Sequence, residues 1–344
     1  MCIISILKMK KVVYFGNKTS GFQSTKSTLE TLEPLLSEIV EIHSYSDKNN
    51  KLVRLVHMFI GFLCHVSSAN TIVIDVYSSA AIRYAEMIGF MTRVFRKKYI
   101  LVLHGGNLPE VYGKKEKRIK RLFTNASHII APSHYLKSFF ESKGYAVQLV
   151  PNIIQLEQYP YLKREKIRPK LLALRGFKPA YNPMMTVKAV EILKTRGIYT
   201  ELRLLANHDE EHYDEVMDYI KEKNLQDCIN VLPKQEKLVW IAESKNFDIM
   251  VSNPVIDNTP VSLIEGMALG MCVITTNVGG VPYLVKDNEE VLYVISDDEI
   301  GLADKISELL TNQELANKLS QRGRSKAEEY DWVHVKNLWG KLLT

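Results

Sequence analysis

The chain has 344 residues, of which 46% are apolar and 24% are charged, and its formal net charge is +6. This length exceeds the size to which a single hydrophobic core usually grows, so we expect two α/β domains with a cleft between them. The composition excludes a disordered chain, and the absence of low-complexity tracts and internal repeats excludes a solenoid.

Six predicted strands alternate with helical patterns in the first half of the chain. Each is a short run rich in β-branched and other apolar residues, and the alternation is typical of βαβ units that build a parallel sheet. The predicted strands are Val12–Phe15, Ile39–Ile42, Thr71–Val76, Tyr99–Leu103, His128–Ala131 and Val147–Val150.

A second set of alternations follows a charged segment with two prolines, Tyr159–Pro169, which suits an interdomain linker. The tail from Asp298 onward predicts two or three helices, the last from about Asp331 to Leu343. We therefore expect a first domain of residues 1–160, a second of residues 161–328 and a terminal helix within residues 329–344. The second set of predicted strands is Leu171–Leu174, Glu201–Leu205, Ile229–Leu232, Asp248–Val251, Cys272–Thr275 and Val291–Ile295.

Positive charge is concentrated in the first half. Up to Lys166 the chain has 24 Lys and Arg against 12 Asp and Glu, and beyond it 21 against 27. The excess indicates that the first half meets an anionic surface or ligand. Six cations next to Ile119, Leu122 and Phe123 favour either an amphipathic stretch on an anionic membrane leaflet or an ordinary solvated helix face. Nucleic acid is not expected, because no binding motif or aromatic platform is present. The six cations are Lys114, Lys115, Lys117, Arg118, Lys120 and Arg121.

The cysteines and the start of the chain suggest a compartment. The cysteines have neither a CxxC pair nor the Cys/His spacing of a zinc site, so we expect buried thiols in a reducing environment and no metal. The apolar start, Met1–Leu7, is too short to span a membrane and precedes no signal-peptide cleavage site. We therefore expect a cytoplasmic protein, with Met9 as an alternative first residue. The four cysteines are Cys2, Cys64, Cys228 and Cys272.

Two loops after predicted strands of the first half are candidate ligand sites, because open parallel sheets bind ligands outside the carboxyl ends of their strands. Gly16–Gly21 would let backbone approach an anion at a helix end, although a simple tight turn fits equally well, and it lacks the dinucleotide fingerprint. His104 precedes Gly105 and Gly106, which remove steric bulk beside it. Its imidazole is expected either to bind a sugar hydroxyl or stabilise developing charge, or to have a structural role.

Two cations, Arg175 and Lys178, follow the first predicted strand of the second half. The planar fork of an arginine and the point charge of a lysine could together clamp a diphosphate. Solvated surface cations are the alternative.

The segment Asp257–Gly270 carries the most specific pattern. Thr259 is predicted to cap a helix with Pro260 at its first position, which leaves the next two N–H groups free at the positive helix end as a phosphate seat. Glu265, further along this helix, is placed to accept hydrogen bonds from a ribose, and Asp257 precedes the helix and can face a sugar. The candidate donor-binding residues of this segment are Asn258, Thr259, Pro260, Val261, Ser262 and Glu265.

The segment from Asp257 to Gly280 contains two acids, Asp257 and Glu265, with seven residues between them, then a small-residue helix, a valine-rich strand and the Gly279–Gly280 turn. This pattern resembles the retaining glycosyltransferase family 4. This resemblance implies the GT-B fold, in which two Rossmann-like parallel-sheet domains face each other across a cleft. It also implies that the last helix crosses back to the first domain. Three further segments are similar to the family: Ala131–Leu136, Val150–Ile153 and Tyr330–Trp332.

The resemblance implies transfer of a sugar, with retention, from a nucleoside diphosphate sugar to a glycan or lipid-linked acceptor in cell-surface polysaccharide biosynthesis, such as lipopolysaccharide or capsule. A UDP-sugar is the favoured donor, no metal or other cofactor is expected, and the enzyme would act at the inner face of the membrane. The implied roles are ribose binding by Glu265, sugar binding by Asp257 and His104, diphosphate binding by Arg175 and the Val261 and Ser262 amides, and approach to donor phosphate and acceptor by Gly16 and Gly21.

The sequence departs from the family pattern at three places. Asp257 replaces the commoner glutamate, Tyr283 stands where the family often has glutamate, and the family's lysine falls near Tyr181–Asn182, which makes Lys178 its candidate substitute. Two alternatives stay open: a nucleotide-sugar 2-epimerase of the same fold and a non-catalytic partner subunit.

Overall fold

The computed structural model describes residues 9–18, 26–78 and 81–343. The chain divides into two compact units. The first comprises Met1–Asn152 and Trp332–Thr344, and the second comprises Ile153–Asp331. The chain therefore enters and leaves the second unit once, and its last helix belongs to the first.

The first unit contains a parallel sheet in the strand order β2-β1-β3-β4-β5-β6. All five residues of the fourth strand are buried, as expected for a parallel sheet that is covered on both faces. The strands are β1 (Lys11–Phe15), β2 (Glu41–Tyr45), β3 (Thr71–Val76), β4 (Tyr99–Leu103), β5 (His128–Ala131) and β6 (Val147–Leu149).

Side-chain caps fix the starts of several helices in this unit. Ser27 and Glu30 form a reciprocal capping box, and Asn50 accepts hydrogen bonds from two backbone amides in the first turn of its helix. These bonds satisfy N–H groups that have no partner within the helix. The helices are α1 (Thr28–Leu36), α2 (Lys51–His65), α3 (Ile82–Val94), α4 (Leu108–Thr124), α5 (His134–Ser142) and α13 (Trp332–Leu343).

The helices of the first unit form two sets. Helices α2, α3, α4 and α5 contact one another in that order, and their inner residues form one core with the sheet. Helix α13 packs against α1. There the Glu38 carboxylate accepts hydrogen bonds from Trp332 Nε1 (3.2 Å) and Lys336 Nζ (2.5 Å). The outward faces of α2, α3 and α4 therefore belong to a single layer.

The second unit contains another parallel sheet, in the order β12-β11-β10-β7-β8-β9. Its strands are β7 (Lys170–Ala173), β8 (Glu201–Leu205), β9 (Ile229–Leu232), β10 (Ile249–Ser252), β11 (Cys272–Thr276) and β12 (Leu292–Val294). Its helices are α6 (Pro183–Thr195), α7 (Tyr213–Glu222), α8 (Lys237–Glu243), α9 (Val261–Ala268), α10 (Val281–Leu284), α11 (Glu299–Thr311) and α12 (Gln313–Glu328).

Each of the predicted strands overlaps an observed one, and the α/β class is confirmed. Strand β2 begins two residues later than predicted, because Ile39 and Val40 donate hydrogen bonds to Leu36 O in the turn that ends α1. Three helices follow residue 298, as the tail predicts.

Two other expectations differ from the structure. The segment predicted as a linker, residues 159–169, lies within the second unit, where Arg164 and Arg168 donate hydrogen bonds to the buried Asp248 carboxylate. Cys228 and Cys272 are buried, whereas Cys64 is exposed on α2. The prediction of a buried thiol is wrong at Cys64, because this residue lies on the solvent side of its helix.

Both sheets reverse their direction of growth at an inner strand. In the first sheet β2 and β3 lie on opposite sides of β1, and in the second β8 and β10 lie on opposite sides of β7. Loops that follow neighbouring strands on the two sides of such a reversal diverge, and this leaves a crevice at the carboxyl ends. The loops after β1, β3, β7 and β10 are therefore the places where ligand groups should be found.

Candidate functional site

Arg175 and Asp257 meet at the reversal point of the second sheet. Arg175 follows β7, Asp257 follows β10, and the guanidinium donates a hydrogen bond to Asp257 Oδ2. The other carboxylate oxygen accepts from the Asn258 amide at 2.7 Å. The guanidinium also lies 4.0 Å from the centre of the Tyr181 ring, a cation–π contact. The sequence predicted both residues, and the structure brings them together.

Glu210 fixes the loop that carries Arg175. An added Cβ at Gly176 would overlap the Glu210 carboxylate, which accepts a hydrogen bond from the Phe177 amide at 2.5 Å and pairs with Lys234. A glycine is therefore required beside Arg175 because this carboxylate approaches the backbone closely. Lys178 is exposed in the same loop.

The helix after Asp257 begins one residue later than predicted. Pro260, with φ −70° and ψ 102°, is the N-cap, and α9 starts at Val261. The assignment of Thr259 as the cap is therefore wrong. The extended ψ of Pro260 keeps it outside the helix, and its carbonyl accepts the Leu263 amide at 3.0 Å. The amides of Val261 and Ser262 are still the first two N–H groups of the helix, at its positive end.

Glu265 lies one turn inside α9 and is 8% exposed. Its Oε1 atom accepts a hydrogen bond from the Tyr159 hydroxyl at 2.8 Å and lies 2.6 Å from Lys237 Nζ. Burial and the Glu265 charge raise the pKa of Tyr159, so this hydroxyl remains a donor at alkaline pH. Both contacts fall on one carboxylate oxygen.

Sequence reasoning missed Tyr159 and Lys237. Tyr159 precedes Glu265 by 106 residues, and Lys237 is the first residue of an ordinary helix, α8. Neither position carries a local motif, so only the tertiary contact identifies them.

The Gly279–Gly280 turn supports the segment that carries Asp257. Gly279 has φ +55°, and a Cβ at either glycine would overlap the backbone of Asp257 or Asn258. The Gly280 amide donates to Asp257 O at 2.8 Å. The two glycines are therefore needed for a close approach between backbones that holds the acid in place.

Two buried polar atoms of this site are unsatisfied. Arg175 Nε and Ser262 Oγ have no hydrogen-bond partner within the described part of the chain. Buried polar groups in folded proteins nearly always have partners, so such exceptions need an explanation. Both belong to segments that follow β7 and β10, where the strand order of the second sheet reverses.

The first unit has its own group of polar side chains at the carboxyl ends of its strands. His104, just after β4, is 8% exposed, and its Nε2 atom lies 2.9 Å from Asp75 Oδ1. The buried Asp75 carboxylate also accepts hydrogen bonds from the hydroxyls of Tyr14 (2.8 Å) and Tyr77 (2.9 Å). Burial, followed by the Asp75 charge, raises the pKa of both tyrosines. His104 is therefore held by a carboxylate that the sequence analysis did not identify.

Gly16 lies at the reversal point of the first sheet. A Cβ added to it would overlap the Asp75 carboxylate, so the glycine is required by this close approach. Gly21, the other glycine predicted in this loop, lies outside the described residues.

The predicted basic stretch lies in α4. Ile119, Leu122 and Phe123 are at most 2% exposed and belong to the core of the first unit. Their assignment as the apolar side of a membrane-binding stretch is therefore wrong, because they are buried in the core of the unit. Of the six cations, Lys115 is half-buried and the others are exposed.

The described residues lack both a metal-binding cluster and a membrane-spanning helix. They contain no group of three or more His, Cys, Asp or Glu side chains arranged to hold a metal ion. Within the same ranges, no helix combines the length and the apolar character that crossing a membrane requires.

One segment of the chain is similar to a known family. Residues 160–326 match the model of the family described as "Glycosyl transferases group 1". The matched region contains Arg175, Asp257, Ser262 and Glu265, so the group at the reversal point of the second sheet lies within the part of the chain that resembles this family.

The curated proteins to which this chain is similar are distant relatives. One is an α-1,4-N-acetyl-D-galactosaminyltransferase of Campylobacter jejuni whose name specifies an undecaprenol-diphosphate-linked glycan acceptor; it is 26% identical over 163 residues, 47% of this chain and 44% of the relative. Another, the N-acetyl-α-D-glucosaminyl L-malate synthase of Bacillus anthracis, is 22% identical over 60% of this chain and 53% of the relative. The chain thus spans about half the length of these relatives.

Solved structures confirm the fold. The sucrose-phosphate synthase of Thermosynechococcus elongatus aligns with a TM-score of 0.77 and 15% identity over 97% of this chain and 98% of its own. Anabaena HepE in complex with UDP and glucose aligns with a TM-score of 0.75 and 12% identity over 97% and 99% of the two chains. The predicted GT-B fold, with two Rossmann-like parallel-sheet units, is confirmed.

Proposed function

We propose that this chain is a glycosyltransferase that moves a sugar from a nucleoside diphosphate sugar to an acceptor hydroxyl with retention at the anomeric carbon. The carrying observation is the pairing of Arg175 with Asp257 just before α9, the helix that also carries Glu265. A nucleoside diphosphate sugar, which has a sugar on each side of its diphosphate, matches this arrangement. The diphosphate oxygens can accept from the guanidinium and the first amides of the helix, and the carboxylates accept hydrogen bonds from sugar hydroxyls.

The donor is assigned to the second unit. The diphosphate binds Arg175, Ser262 and the Val261 amide, where the positive helix end and the guanidinium stabilise its charge. Because Tyr159 and Lys237 both contact Glu265 Oε1, we assign Oε2 to a ribose hydroxyl. Residues 258–260 form the rim of the phosphate seat. A UDP-sugar is the favoured donor, and UDP and UDP-glucose are the ligands that structures of Anabaena HepE contain.

Asp257 and His104 are assigned to the transferred sugar. Arg175 holds Asp257 through one terminal nitrogen, which leaves the other for a phosphate oxygen, so one guanidinium can orient the acid and bind the diphosphate. No protein nucleophile is invoked, and the departing diphosphate takes the acceptor proton. The protein then acts mainly by positioning the reactants and stabilising the charge that develops on the leaving group.

The acceptor is proposed to be a glycan or a lipid-linked glycan at the inner face of the membrane, in cell-surface polysaccharide biosynthesis. The excess positive charge of the first half supports this assignment, because anionic leaflets attract clustered lysines and arginines. The name of the Campylobacter jejuni relative contains an acceptor of the same class.

A thermal-shift screen with UDP-, GDP-, ADP- and dTDP-sugars tests the donor site. A saturating donor should raise Tm by about 5 °C, since binding at 100 times Kd stabilises by about 2.7 kcal/mol. The shift should be small in Glu265→Gln and unchanged in Glu211→Gln, an exposed acid of the same unit. If no donor class raises Tm, the proposal is wrong.

Product analysis separates the remaining alternatives. Turnover should require an acceptor and yield a product whose anomeric configuration, read by NMR, matches that of the donor. An epimerised nucleotide sugar formed without acceptor would identify a 2-epimerase. Donor binding without any turnover across an acceptor panel would indicate a non-catalytic subunit.

A further inference from the structure

Helix α2 presents an apolar face to solvent. Six of its large apolar side chains are between 43% and 74% exposed. The solvent side of a surface helix normally carries charged and polar residues, and contiguous exposed apolar patches mark interaction sites. The six are Leu52, Val53, Val56, Phe59, Ile60 and Leu63.

The inward face of α2 carries Arg54, one of the two charged residues of this helix; the other, Lys51, is exposed at its first position. Arg54 is 8% exposed and donates hydrogen bonds to Lys48 O (2.7 Å) and Asn17 Oδ1 (3.0 Å). Met58 and Phe62, on the same side, are buried in the core. Because these contacts fix the rotation of the helix, its apolar residues cannot turn inward.

Helix α3 extends the apolar surface. Phe90 and Val94, four residues apart on its outer side, are 59% and 61% exposed, and Phe95 follows them at 47%. The Phe95 ring lies 5.6 Å from the ring of Phe62 on α2. The outward surfaces of these two neighbouring helices together form what we call the α2–α3 face, made of the six exposed residues of α2 with Phe90, Val94 and Phe95.

Helix α4 places basic residues beside this face. Arg118 of α4 pairs with Glu86 of α3, and Arg93 of α3 donates to Arg121 O of α4, so the two helices are joined along their outer sides. Helices α2, α3 and α4 carry ten Lys and Arg against three Glu. The layer therefore combines an apolar surface with a strongly positive one.

The positive charge of the α2, α3 and α4 layer indicates what binds the α2–α3 face. A second copy of the chain would bring an equally positive layer against the first, and like charges across an interface are repelled. An anionic lipid leaflet instead offers phosphates to the cations and acyl chains to the apolar side chains. We propose that the α2–α3 face docks on an anionic membrane surface, with the basic side of α4 against the lipid headgroups.

This inference deepens the proposed function, on which it rests for the lipid-linked acceptor. It also corrects the sequence-based location of the membrane contact. The cations of α4 keep their predicted role, whereas the apolar contribution comes from α2 and α3 instead of Ile119, Leu122 and Phe123.

Vesicle co-sedimentation tests the proposal with a matched pair of variants. Leu52→Ser with Val56→Ser removes a leucine and a valine from the α2–α3 face. Leu238→Ser with Val239→Ser removes the same residue types from α8 of the second unit, where they are 67% and 45% exposed. With vesicles of equal parts phosphatidylcholine and phosphatidylglycerol, the first variant should lose at least about tenfold in partitioning, and the second should match the wild type.

The charge contribution is measured separately. Lys117→Gln with Lys120→Gln should weaken binding to these vesicles about tenfold or more, and high salt should do the same to the wild type. Vesicles of phosphatidylcholine alone should bind all proteins weakly.

Three results would overturn the proposal: no binding of the wild type to anionic vesicles, equal partitioning of the two matched variants, or a wild-type dimer in light scattering that Leu52→Ser with Val56→Ser converts to a monomer. The last result would assign the face to self-association. The donor-induced thermal shift should be the same in the wild type and the Leu52→Ser with Val56→Ser variant, so failure of the membrane proposal can be told from failure of the donor proposal.

Discussion

Asp75 in the first unit lies in β3 and Asp257 in the second follows β10, and each of these strands neighbours the strand at which its sheet reverses its direction of growth. Their surroundings are opposite. Asp75 is buried and is held by the side chains of two tyrosines and a histidine, whereas Asp257 is paired with the cation Arg175. The buried donors around Asp75 are part of the fold, whereas Asp257 is held by a cation that an incoming anion can share. In the proposed function the first acid therefore positions His104, and the second contacts the ligand.

The largest effect on turnover is expected from a substitution in the second unit. Arg175→Ala should reduce turnover about 10²–10³-fold, because it removes a preorganised charge from the departing diphosphate. Lys178→Ala should reduce it less, since its side chain is exposed and the adjoining ring of Tyr181 stacks on Arg175. Steady-state kinetics of the two variants measure the difference. Equal losses would mean that Lys178 does replace the family's lysine.

For stability, the larger effect is expected in the first unit. Asp75→Asn should lower the free energy of unfolding by about 2 kcal/mol, because buried hydroxyl and imidazole donors lose an acceptor. Asp257→Asn, at a partly exposed acid, should change it by less than about 1 kcal/mol. Urea denaturation of both variants gives the comparison. If Asp75→Asn were as stable as the wild type, the contrast between the two acids would be lost.

A smaller effect is expected at the turn that supports Asp257. Gly280→Ala should weaken donor binding about tenfold, or 1.4 kcal/mol, because the new Cβ would displace the Asn258 backbone. Gly113→Ala is the matched control, since its Cβ would meet no atom within 4 Å in the described structure. Isothermal titration calorimetry measures the donor affinity of each variant. Equal affinities would show that the turn does not hold the acid in place.

The sequence predicted most of the fold and the second-unit site for a common reason. Parallel strands buried on both faces appear as continuous apolar runs, and residues 257–270 are contiguous, so their spacing is visible without a structure. Arg175 was found because it follows a strand. The start of α9 was misplaced by one residue, since a proline fits both the cap and the first helical position.

The other contributors could not be predicted, because they depend on contacts between distant segments. Tyr159 and Lys237 reach Glu265 from two separate elements, and Asp75 reaches His104 across 29 residues. The α2–α3 face was missed for a different reason. The sequence of a mostly apolar helix does not show which of its sides is buried, and the exposed side of α2 is identified only because Arg54 points inward.

The smallest expected effect extends the comparison to pH. Burial raises the pKa of Tyr14 and of Tyr77 above their usual value, and the neighbouring Asp75 charge adds to the effect. The unfolded chain therefore loses these protons first, near pH 10, while the folded chain retains them. The stabilisation that the two tyrosines contribute is fully present below that pH and is lost as pH rises above it.

Between pH 9 and pH 10.5, a tyrosine of this kind accounts for a loss of about 0.8 kcal/mol in the free energy of unfolding. Tyr14→Phe should be less stable at neutral pH yet lose less on alkalinisation, by about that amount, in urea titrations at the two pH values. If wild type and variant lost stability equally, the Tyr14 hydroxyl would not be held as a neutral donor to Asp75. The contrast between the tightly held Asp75 and the cation-paired Asp257 would then be lost.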